Sequence, residues 1–296
     1  MPNRTPDADE ARRTLRPSEA EALAAWRALQ RAAHEQAERM REQAPPDDEW
    51  GAMADIFAPG PDAYPAPELP LLEALARPDD HWLEVGAGAG RLAIPLARHV
   101  RRMTAVDRSP GMTARLREEA AASGLDNVEV LTAIGWPPAG APGEAAPIVD
   151  VALSASVLFF VEEVGAFLDA LEAHARRLCV IVLMDHMPGT PLKPLWSALH
   201  DEPVAELPAL REFLAVLGAR GRAFDLTTTP PPPPPPLPLD EVIDSFRRRY
   251  FVGRGSAREQ RMRELLAERY AGDDGLVTLP LPFTQTAVVS WQPPSA

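Results

Sequence analysis

The spacing of apolar and polar positions along the chain changes character near residue 80. Before that point, the pattern from 18 to about 42 predicts an amphipathic helix whose first turn Ser18 caps. Its apolar positions recur at helical spacing, at Leu23, Trp26, Leu29 and Ala33. Prolines then interrupt regular structure until a short helix predicted at 71–76. The N-terminal quarter of the chain therefore predicts helices and no strands.

From residue 81 onward, short apolar runs alternate with amphipathic stretches. The runs predict strands at 82–85, 103–106, 128–131, 149–154 and 179–184, a weaker strand at 222–227 and a closing strand at 283–291. Helices are predicted at 91–99, 110–123, 164–178, 207–217, 240–250 and 256–270. Strands that alternate with helices imply a parallel sheet covered on both faces. The pattern thus predicts an α/β fold, a doubly wound, mostly parallel seven-stranded sheet with a helical cap.

Charge and composition narrow the classes of partner. The chain has 30 Lys and Arg against 43 Asp and Glu, a formal net charge of −13, so the phosphate backbone of a nucleic acid is repelled. The N-terminus lacks the apolar core of a signal peptide, and no apolar run reaches the roughly 18 residues of a membrane span. We expect a cytoplasmic monomer or homodimer with a small-molecule substrate and with neither nucleic acid nor membrane as a partner.

Cysteine and histidine usage gives no indication of a metal. The single cysteine, Cys179, lies in an apolar run, which indicates core packing. The histidines show no pair at ligand spacing on a predicted helix. We therefore predict no metal site.

The segment most informative about chemistry is 83–91, which reads Leu-Glu-Val-Gly-Ala-Gly-Ala-Gly-Arg between a predicted strand and a predicted helix. Gly86, Gly88 and Gly90 permit a tight turn and let a ligand approach the backbone, and the helix presents free N–H groups. Asp107 ends the second strand 21 residues after Gly86, where a carboxylate accepts both hydroxyls of a ribose. The residue after the third glycine is arginine, whereas a nicotinamide or flavin dinucleotide site has glycine or alanine there.

An acidic residue followed by G-x-G-x-G resembles motif I of the class I S-adenosylmethionine-dependent methyltransferases, which have a Rossmann-like methyltransferase fold. The resemblance covers roughly residues 70–190. It implies S-adenosyl-L-methionine as the cofactor, with Glu84 at the amino acid end of that molecule. The residues implied to bind the cofactor are Glu84, Gly86, Ala87, Gly88, Gly90, Asp107, Arg108, Met112, Ala133, Ile134, Trp136, Ser154, Ala155 and Val157. For Trp136, a structural role as an anchor of its loop is the alternative.

Two departures from the family pattern affect the expected contacts. Many members carry an Asp after strand three for the adenine amino group, and the loop at 132–137 has none, so backbone groups must take that role. The Asn/Asp-Pro-Pro-Tyr/Phe motif of many nucleic-acid amino methyltransferases is absent after strand four. The resemblance therefore favours the small-molecule members, without a particular substrate.

Candidates for contact with the acceptor follow the fourth and fifth strands and precede the first. His186 directly follows strand five and could take a proton near neutral pH, and His200 is a second candidate base. Trp50 and Tyr64, in the proline-rich approach to the sheet, and Phe159 are predicted to contact the acceptor. Structural packing is the alternative for each of them.

Composition divides the chain into segments with different expected roles. We expect a disordered terminus at 1–16, an N-terminal helical cap or lid at 17–70, an S-adenosylmethionine-binding Rossmann-like core at 71–229, a polyproline connector at 230–238, a helical cap insertion at 239–271 and the closing strand at 272–296. The seven prolines at 230–236 predict a stiff rod roughly 20 Å long at about 3.1 Å per residue. A docking motif for a proline-recognising domain is the alternative.

The predicted function is methyl transfer from S-adenosylmethionine to a small molecule at O, N or C. A module that binds the cofactor without transferring a methyl group is one alternative. A protein or RNA methyltransferase is another, and a nicotinamide oxidoreductase is the third.

Overall fold

The strands that the alternating pattern predicts are present in the computed structural model, which describes residues 15–44, 47–60, 65–187, 192–280 and 284–294. Of the predicted disordered terminus at 1–16, only residues 15 and 16 lie within these ranges, and Tyr64 lies outside them. The strands are β1 (His81–Val85), β2 (Arg102–Asp107), β3 (Val128–Thr132), β4 (Val149–Ala155), β5 (Ala175–Met184), β6 (Asp225–Thr229), β7 (Leu237–Pro238), β8 (Leu276–Val277) and β9 (Thr286–Trp291).

Seven of these strands form one sheet in the order β3-β2-β1-β4-β5-β9-β6. The first five pair in parallel, while β9 runs antiparallel to both of its neighbours. The order reverses between β1 and β4, where an open α/β sheet has a crevice at the carboxyl ends of its strands. The predicted fold class is confirmed, and the reversal places the glycine segment after β1 at the centre of that edge.

Helices cover both faces of the sheet and extend beyond one end of it. They are α1 (Glu19–Met40), α2 (Ala54–Phe57), α3 (Leu69–Glu73), α4 (Ala93–Ala97), α5 (Pro110–Ala122), α6 (Val164–His174), α7 (Lys193–His200), α8 (Leu210–Ala219), α9 (Leu239–Arg249) and α10 (Ala257–Tyr270), with 3-10 turns at Gly51–Met53 and Leu158–Phe160. Ser18 caps α1 with a capping box, and the Ser109 side chain accepts from the Met112 N–H to cap α5. Local sequence therefore sets these two helix starts.

Boundaries differ from the sequence prediction where tertiary pairing decides them. β5 begins at Ala175, four positions before the predicted start at 179, because Ala175 pairs with Val149 beyond a register shift that leaves one extra residue in β5. The weak sixth strand lies at Asp225–Thr229 and pairs along its whole length with β9. Both shifts extend pairing with a neighbouring strand, which no local pattern encodes.

The core consists of one apolar layer on each face of the sheet. One layer packs α1, α6 and α8 against the sheet, with Trp26, Phe167 and Phe213 buried in it. The other packs α3, α4 and α5 against the opposite face around Leu72 and Trp82. These two layers fix the strand ends from which the candidate site is built.

A separate apolar cluster forms the helical cap. Helices α9 and α10 pack around Phe246, Tyr250 and Leu266 as the hydrophobic pattern predicts. Helix α7 joins them through Leu195 and Trp196, although the sequence analysis had placed this stretch in the core segment. The cap is thus built from two parts of the chain that are remote in sequence.

The proline run joins β6 to the cap. Pro231 and Pro234 are half-buried, and the other five prolines from 230 to 236 are exposed. A period of three residues is that of a polyproline II helix with one edge against the protein. Its roles as connector or docking motif both stay predictions.

Candidate functional site

The glycine segment forms a tight turn between β1 and α4. The N–H groups of Gly86 and Ala87 both donate to the carbonyl oxygen of Val106 on β2, at 2.8 and 3.1 Å. Gly86 has φ +74°, and a Cβ there would lie 2.3 Å from Cγ2 of Val157. A Cβ on Gly90 would lie 2.8 Å from Cγ1 of Ile94. Packing therefore requires glycine at these two positions.

Gly88 differs from the other two glycines because its surroundings are open. It has φ +56°, and a Cβ there would have only Met112 Sδ, at 3.7 Å, among the described atoms within 4 Å beyond its chain neighbours. No described packing contact excludes a side chain at this position. The turn thus presents free space above its central residue, where a ligand can approach the backbone.

Asp107 links the glycine turn to the start of α5. Its Oδ2 accepts from the Gly88 N–H at 2.9 Å, and its Oδ1 accepts from the Ser109 N–H at 2.8 Å. The side chain is half-buried at the end of β2. A carboxylate has about four acceptor positions, so two remain for the hydroxyls of a diol. The two backbone bonds fix the orientation of the carboxylate before any ligand binds.

Glu84 lies beneath the turn and is 2% exposed. Its Oε2 is buried and has no hydrogen-bond partner among the residues that the structure describes. Burial raises the pKa of Glu84 to about 8, and the nearby Arg91 guanidinium opposes that rise. A buried acceptor without a donor is unfavourable, and a cationic ligand group would satisfy it.

Arg91 is held at this position by an ion pair that the sequence analysis missed. Its Nη1 lies 2.7 Å from Oε1 of Glu68, which is 3% exposed at the side chain, and donates to the carbonyl oxygen of Pro65 at 3.1 Å. Glu68 directly precedes α3. An acidic residue in a proline-rich stretch gives no sequence signal for a partner 23 residues later.

The residues at the carboxyl end of β4 lie next to the glycine turn at the same edge of the sheet. The Ser154 side chain is buried and donates to the carbonyl oxygen of Val85 at 2.9 Å, which joins β4 to the residue before the glycine turn. Ala155 and Val157 are half-buried, and Ser156 between them has φ +61°. Ser154 thus aligns the strand ends, and Val157 packs against Gly86 of the glycine turn.

Helix α1 fixes the segment that follows β4. The Trp26 indole N–H donates to the carbonyl oxygen of Val161 at 2.7 Å. The Gln30 amide donates to the carbonyl oxygens of Leu158 and Phe159 at 3.1 and 3.2 Å. These bonds supply side-chain donors to carbonyl groups in and after the 3-10 turn. The N-terminal helix therefore holds the segment after β4 in position.

The exit of β3 carries the residues expected beside adenine. Ala133 is exposed with φ +61°, and its N–H donates to the carbonyl oxygen of Asp107 at 3.0 Å. Ile134 packs on the edge of the core. The Trp136 indole N–H donates to the carbonyl oxygen of Phe167 at 3.2 Å, and its ring lies 5.0 Å from that of His174. These contacts favour the structural role for Trp136 as an anchor of its loop, and its contact with the cofactor stays a prediction.

Met112 and Arg108 stand at the start of α5 with different exposure. Met112 is 3% exposed and belongs to a small cluster with Ala89. Arg108 is exposed. Only Met112 is therefore part of the packed wall beside the glycine turn.

A segment of the N-terminal region lies across this edge. Trp50 and Phe57 pack on the cluster that contains Ala89 and Met112, and the Trp50 ring meets the Phe160 ring edge-on at a centroid distance of 4.9 Å. The segment 47–60 therefore reaches from the glycine turn to the exit of β4. Trp50 lies at this edge of the sheet, and its contact with the acceptor stays a prediction.

Phe159 does not occupy the position that the sequence analysis gave it. It is 1% exposed and packs inside the core, so its ring does not face the crevice. The adjacent Phe160 is 55% exposed and is the ring that meets Trp50. The 3-10 turn at Leu158–Phe160 decides which of the two aromatic rings points outward.

The two candidate bases have very different surroundings. His186 follows β5 with a 40% exposed side chain, and its ring nitrogens lie 3.8 Å from Asp185 Oδ2 and 3.6 Å from Glu206 Oε2. His200 is 9% exposed within the cap, where its Nε2 lies 3.0 Å from the carbonyl oxygen of Tyr250. Burial lowers the pKa of His200, so this ring is a neutral part of the cap core. Only His186 keeps the accessibility that a base requires.

Other classes of site give no further candidate. Across the described ranges, no group of three or more His, Cys, Asp or Glu side chains is arranged to hold a metal ion. Among the helices that the structure describes, none is long and apolar enough to span a membrane.

Comparison with known proteins identifies the class. Residues 83–177 match the family model of a methyltransferase domain. The fold is similar to that of an S-adenosylmethionine-dependent methyltransferase from Thiobacillus denitrificans, solved with S-adenosyl-L-homocysteine, with TM-score 0.51 and 17% identity over 85% of this chain and 100% of that one. The YcgJ protein from Bacillus subtilis gives TM-score 0.50 and 17% identity over 77% of this chain and 99% of that one.

Among curated proteins, one relative is the 23S rRNA (uracil(1939)-C(5))-methyltransferase RlmD of Xanthomonas campestris. It is 43% identical over 65 residues, which are 22% of this chain and only 14% of the relative. The methyltransferase-domain model that residues 83–177 match, together with the shared fold and the glycine motif, agrees with the expected class I family, enzyme class and S-adenosylmethionine cofactor.

Proposed function

We propose that this enzyme transfers the methyl group of S-adenosylmethionine to a small-molecule acceptor at O, N or C. The observation that carries the cofactor site is the unpartnered, buried Oε2 of Glu84 beneath an open glycine turn. In this proposal Glu84 accepts from the amino group of the methionine part, and Asp107 accepts from the ribose hydroxyls. The residues after β3 and β4 flank the adenine and the methyl group, respectively.

The cofactor supplies an activated methyl group on a sulfonium leaving group. The protein then has to exclude water, align the acceptor atom and, for a hydroxyl or amine acceptor, remove a proton. Trp50 and the 47–60 segment exclude water from above the glycine turn. His186 is the candidate to accept a proton, since it is exposed at the exit of β5 beside two carboxylates.

A small acceptor is favoured over a macromolecule by the surroundings of the site. The 47–60 segment crosses the edge and contacts Phe160, which narrows the approach to the crevice. The formal charge of −13 opposes binding of a polyanion. Arginines of the cap form ion pairs with nearby carboxylates. For example, Arg254 Nη2 lies 2.7 Å from Asp244 Oδ1, and Arg263 Nη1 lies 2.6 Å from Asp240 Oδ1. These features support a substrate without a phosphate backbone.

An RNA acceptor is the second candidate, because of the partial likeness to the 23S rRNA methyltransferase. A route through a cysteine nucleophile would have to use Cys179, the single cysteine of the chain. That residue is fully buried in β5, and burial raises the pKa of its thiol. RNA is included in the acceptor screen because of the partial likeness to the 23S rRNA methyltransferase.

The first experiment is calorimetric titration with S-adenosylmethionine, S-adenosylhomocysteine and reduced nicotinamide dinucleotide. We expect micromolar binding of the two adenosyl ligands and no binding of the nicotinamide. A screen for transfer of a labelled methyl group then compares small molecules with a peptide pool and with total RNA. Transfer to RNA alone would reject the small-molecule proposal, and cofactor binding without transfer to any acceptor would favour a non-catalytic binding module.

The affinity for S-adenosylhomocysteine is expected to rise with pH. The pKa of Glu84 is raised to about 8, so its carboxyl group is mostly protonated at pH 6 and must lose a proton to accept from an ammonium group. Affinity should increase by as much as about tenfold per pH unit between pH 6 and 7.5. Calorimetry in buffers of different ionisation enthalpy should detect proton release on binding.

Glu84→Gln is the control for that pH dependence. The variant should bind more weakly than wild type at pH 7.5, with an affinity that stays flat across the range. In the ligand-free protein, the pKa of the Glu84 carboxyl group is raised from 4.5 to about 8. The protonated group therefore contributes stability at low pH, and this contribution is lost as the pH rises toward 8. The variant should therefore have a higher melting temperature than the wild-type protein at pH 8. A wild-type affinity independent of pH would contradict this role for Glu84.

A further inference from the structure

The Asp48 carboxylate accepts hydrogen bonds from three donors, two of which lie at the start of α5. One is local, because the Gly51 N–H donates to Asp48 Oδ1 at 2.9 Å. The other two come from the remote helix start, where the Ser109 Oγ donates to Oδ1 at 2.7 Å and the Gly111 N–H donates to Oδ2 at 3.0 Å. All three donors favour the ionised form, and they hold the pKa of Asp48 below its ordinary value.

The backbones of the two elements also touch. A Cβ added to Gly111 would lie 2.6 Å from the Cα of Gly51, so the 3-10 turn of the segment packs directly on the helix backbone. A more exposed ion pair adds to the contact, with Arg115 Nε 3.2 Å from Asp55 Oδ1. The segment is therefore fastened to α5 along its length.

The far end of the same segment reaches the opposite wall of the crevice. Trp50 packs near Ala89 of the glycine turn and meets Phe160 beyond β4. The segment thus extends from the glycine turn to the residues that follow β4, where Val157 packs directly on Gly86. A cofactor bound at the glycine turn, as in the proposed function, would therefore lie beneath this segment.

We propose that Asp48 is the latch of a lid formed by residues 47–60, and that release of the bound cofactor product requires the Asp48 carboxylate to separate from Ser109 and Gly111. The proposal rests on the cofactor site described under the proposed function. It assigns Asp48 a positioning role, since the residue acts through the start of α5 and touches none of the reacting atoms.

The latch also bears on the ribose carboxylate. Ser109 donates its hydroxyl to Asp48 and its N–H to Asp107 Oδ1, at 2.7 and 2.8 Å. One residue thus connects the lid to the group proposed to bind the ribose. Closure of the lid and orientation of Asp107 are therefore coupled, and each stabilises the other.

Two variants open the latch by different means. Asp48→Asn replaces an anionic acceptor by an amide, one of whose atoms is a donor facing the donors of α5. Gly111→Ala adds a methyl group that meets the Gly51 backbone, although alanine is a better helix former than glycine. Gly218→Ala is the matched control, because Gly218 lies in α8 and a Cβ there meets no described atom within 4 Å.

The measurement is the dissociation rate of S-adenosylhomocysteine, followed by stopped-flow competition with excess S-adenosylmethionine. We expect Asp48→Asn and Gly111→Ala to raise the dissociation rate about tenfold or more, and Gly218→Ala to leave it within about twofold. Because both changes act on one contact, the double variant should dissociate little faster than the faster single variant.

The outcomes separate the two proposals. If wild-type protein does not bind S-adenosylhomocysteine at all, the cofactor site is wrong and the latch falls with it. If wild type binds and the variants dissociate at its rate, only the latch is rejected. Fully additive effects in the double variant would also reject a shared latch, and would assign the two residues separate structural roles.

Discussion

Asp107→Ala is expected to lower the affinity for S-adenosylhomocysteine by about 30-fold or more. The change removes two hydrogen bonds from ribose hydroxyls to a charged acceptor, which together contribute about 2–4 kcal/mol. It also removes the acceptors of the Gly88 and Ser109 N–H groups, now bonded at 2.9 and 2.8 Å. The glycine turn and the start of α5 lose their common anchor, so the loss should exceed that of the ribose contacts alone.

Titration calorimetry of folded protein checks this prediction. Asp126→Ala is the matched control, because Asp126 is exposed in the turn before β3 and should leave the affinity unchanged. Asp107→Asn should fall between the wild type and the alanine variant, since an amide retains one acceptor oxygen. An Asp107→Ala protein that binds as tightly as wild type would show that the ribose lies elsewhere.

Gly88→Val is expected to abolish detectable binding of S-adenosylhomocysteine, a loss of more than about 100-fold, or about 2.7 kcal/mol. Valine at φ +56° is strained, and its side chain would project into the space above the turn. The backbone approach that the ligand requires is then blocked.

Strain and blockade are distinguished by a second glycine. Gly124 has a similar φ of +65°, and a Cβ there meets no described atom within 4 Å. Gly124 follows the C-terminal end of α5, whereas the N-terminal end of that helix lies at the candidate site. Gly124→Val therefore introduces comparable backbone strain far from the site. This control should melt earlier than wild type but bind normally. If Gly88→Val binds as well as Gly124→Val, the turn is only a structural feature.

The missed residues have a common cause. Asp48 and Gly51 carry a recognisable local signal, since an Asp three residues before a Gly in a proline-rich stretch is typical of a turn. That signal predicts the bond from the Gly51 N–H but not the bonds from Ser109 and Gly111, which lie 61 and 63 positions away. Sequence separation of this size is bridged only by the packing of the 47–60 segment on α5.

The sequence by itself determined the class of protein, because the signals for it are local. The strand before Glu84, the glycine spacing and the carboxylate at Asp107 lie within one strand-turn-helix-strand unit, and their order fixes which groups meet at the sheet edge. The caps at Ser18 and Ser109 are equally local. Backbone geometry at the turn leaves little freedom for any other arrangement.

Only the tertiary structure decided which side chains face the crevice and how they ionise. Phe159 and Phe160 are adjacent and chemically identical, yet packing buries the first and exposes the second. Glu84 has a pKa near 8 because neighbours from other elements exclude water from it. Burial and charge are sums over groups that are distant along the chain, so no local pattern of residues can specify them.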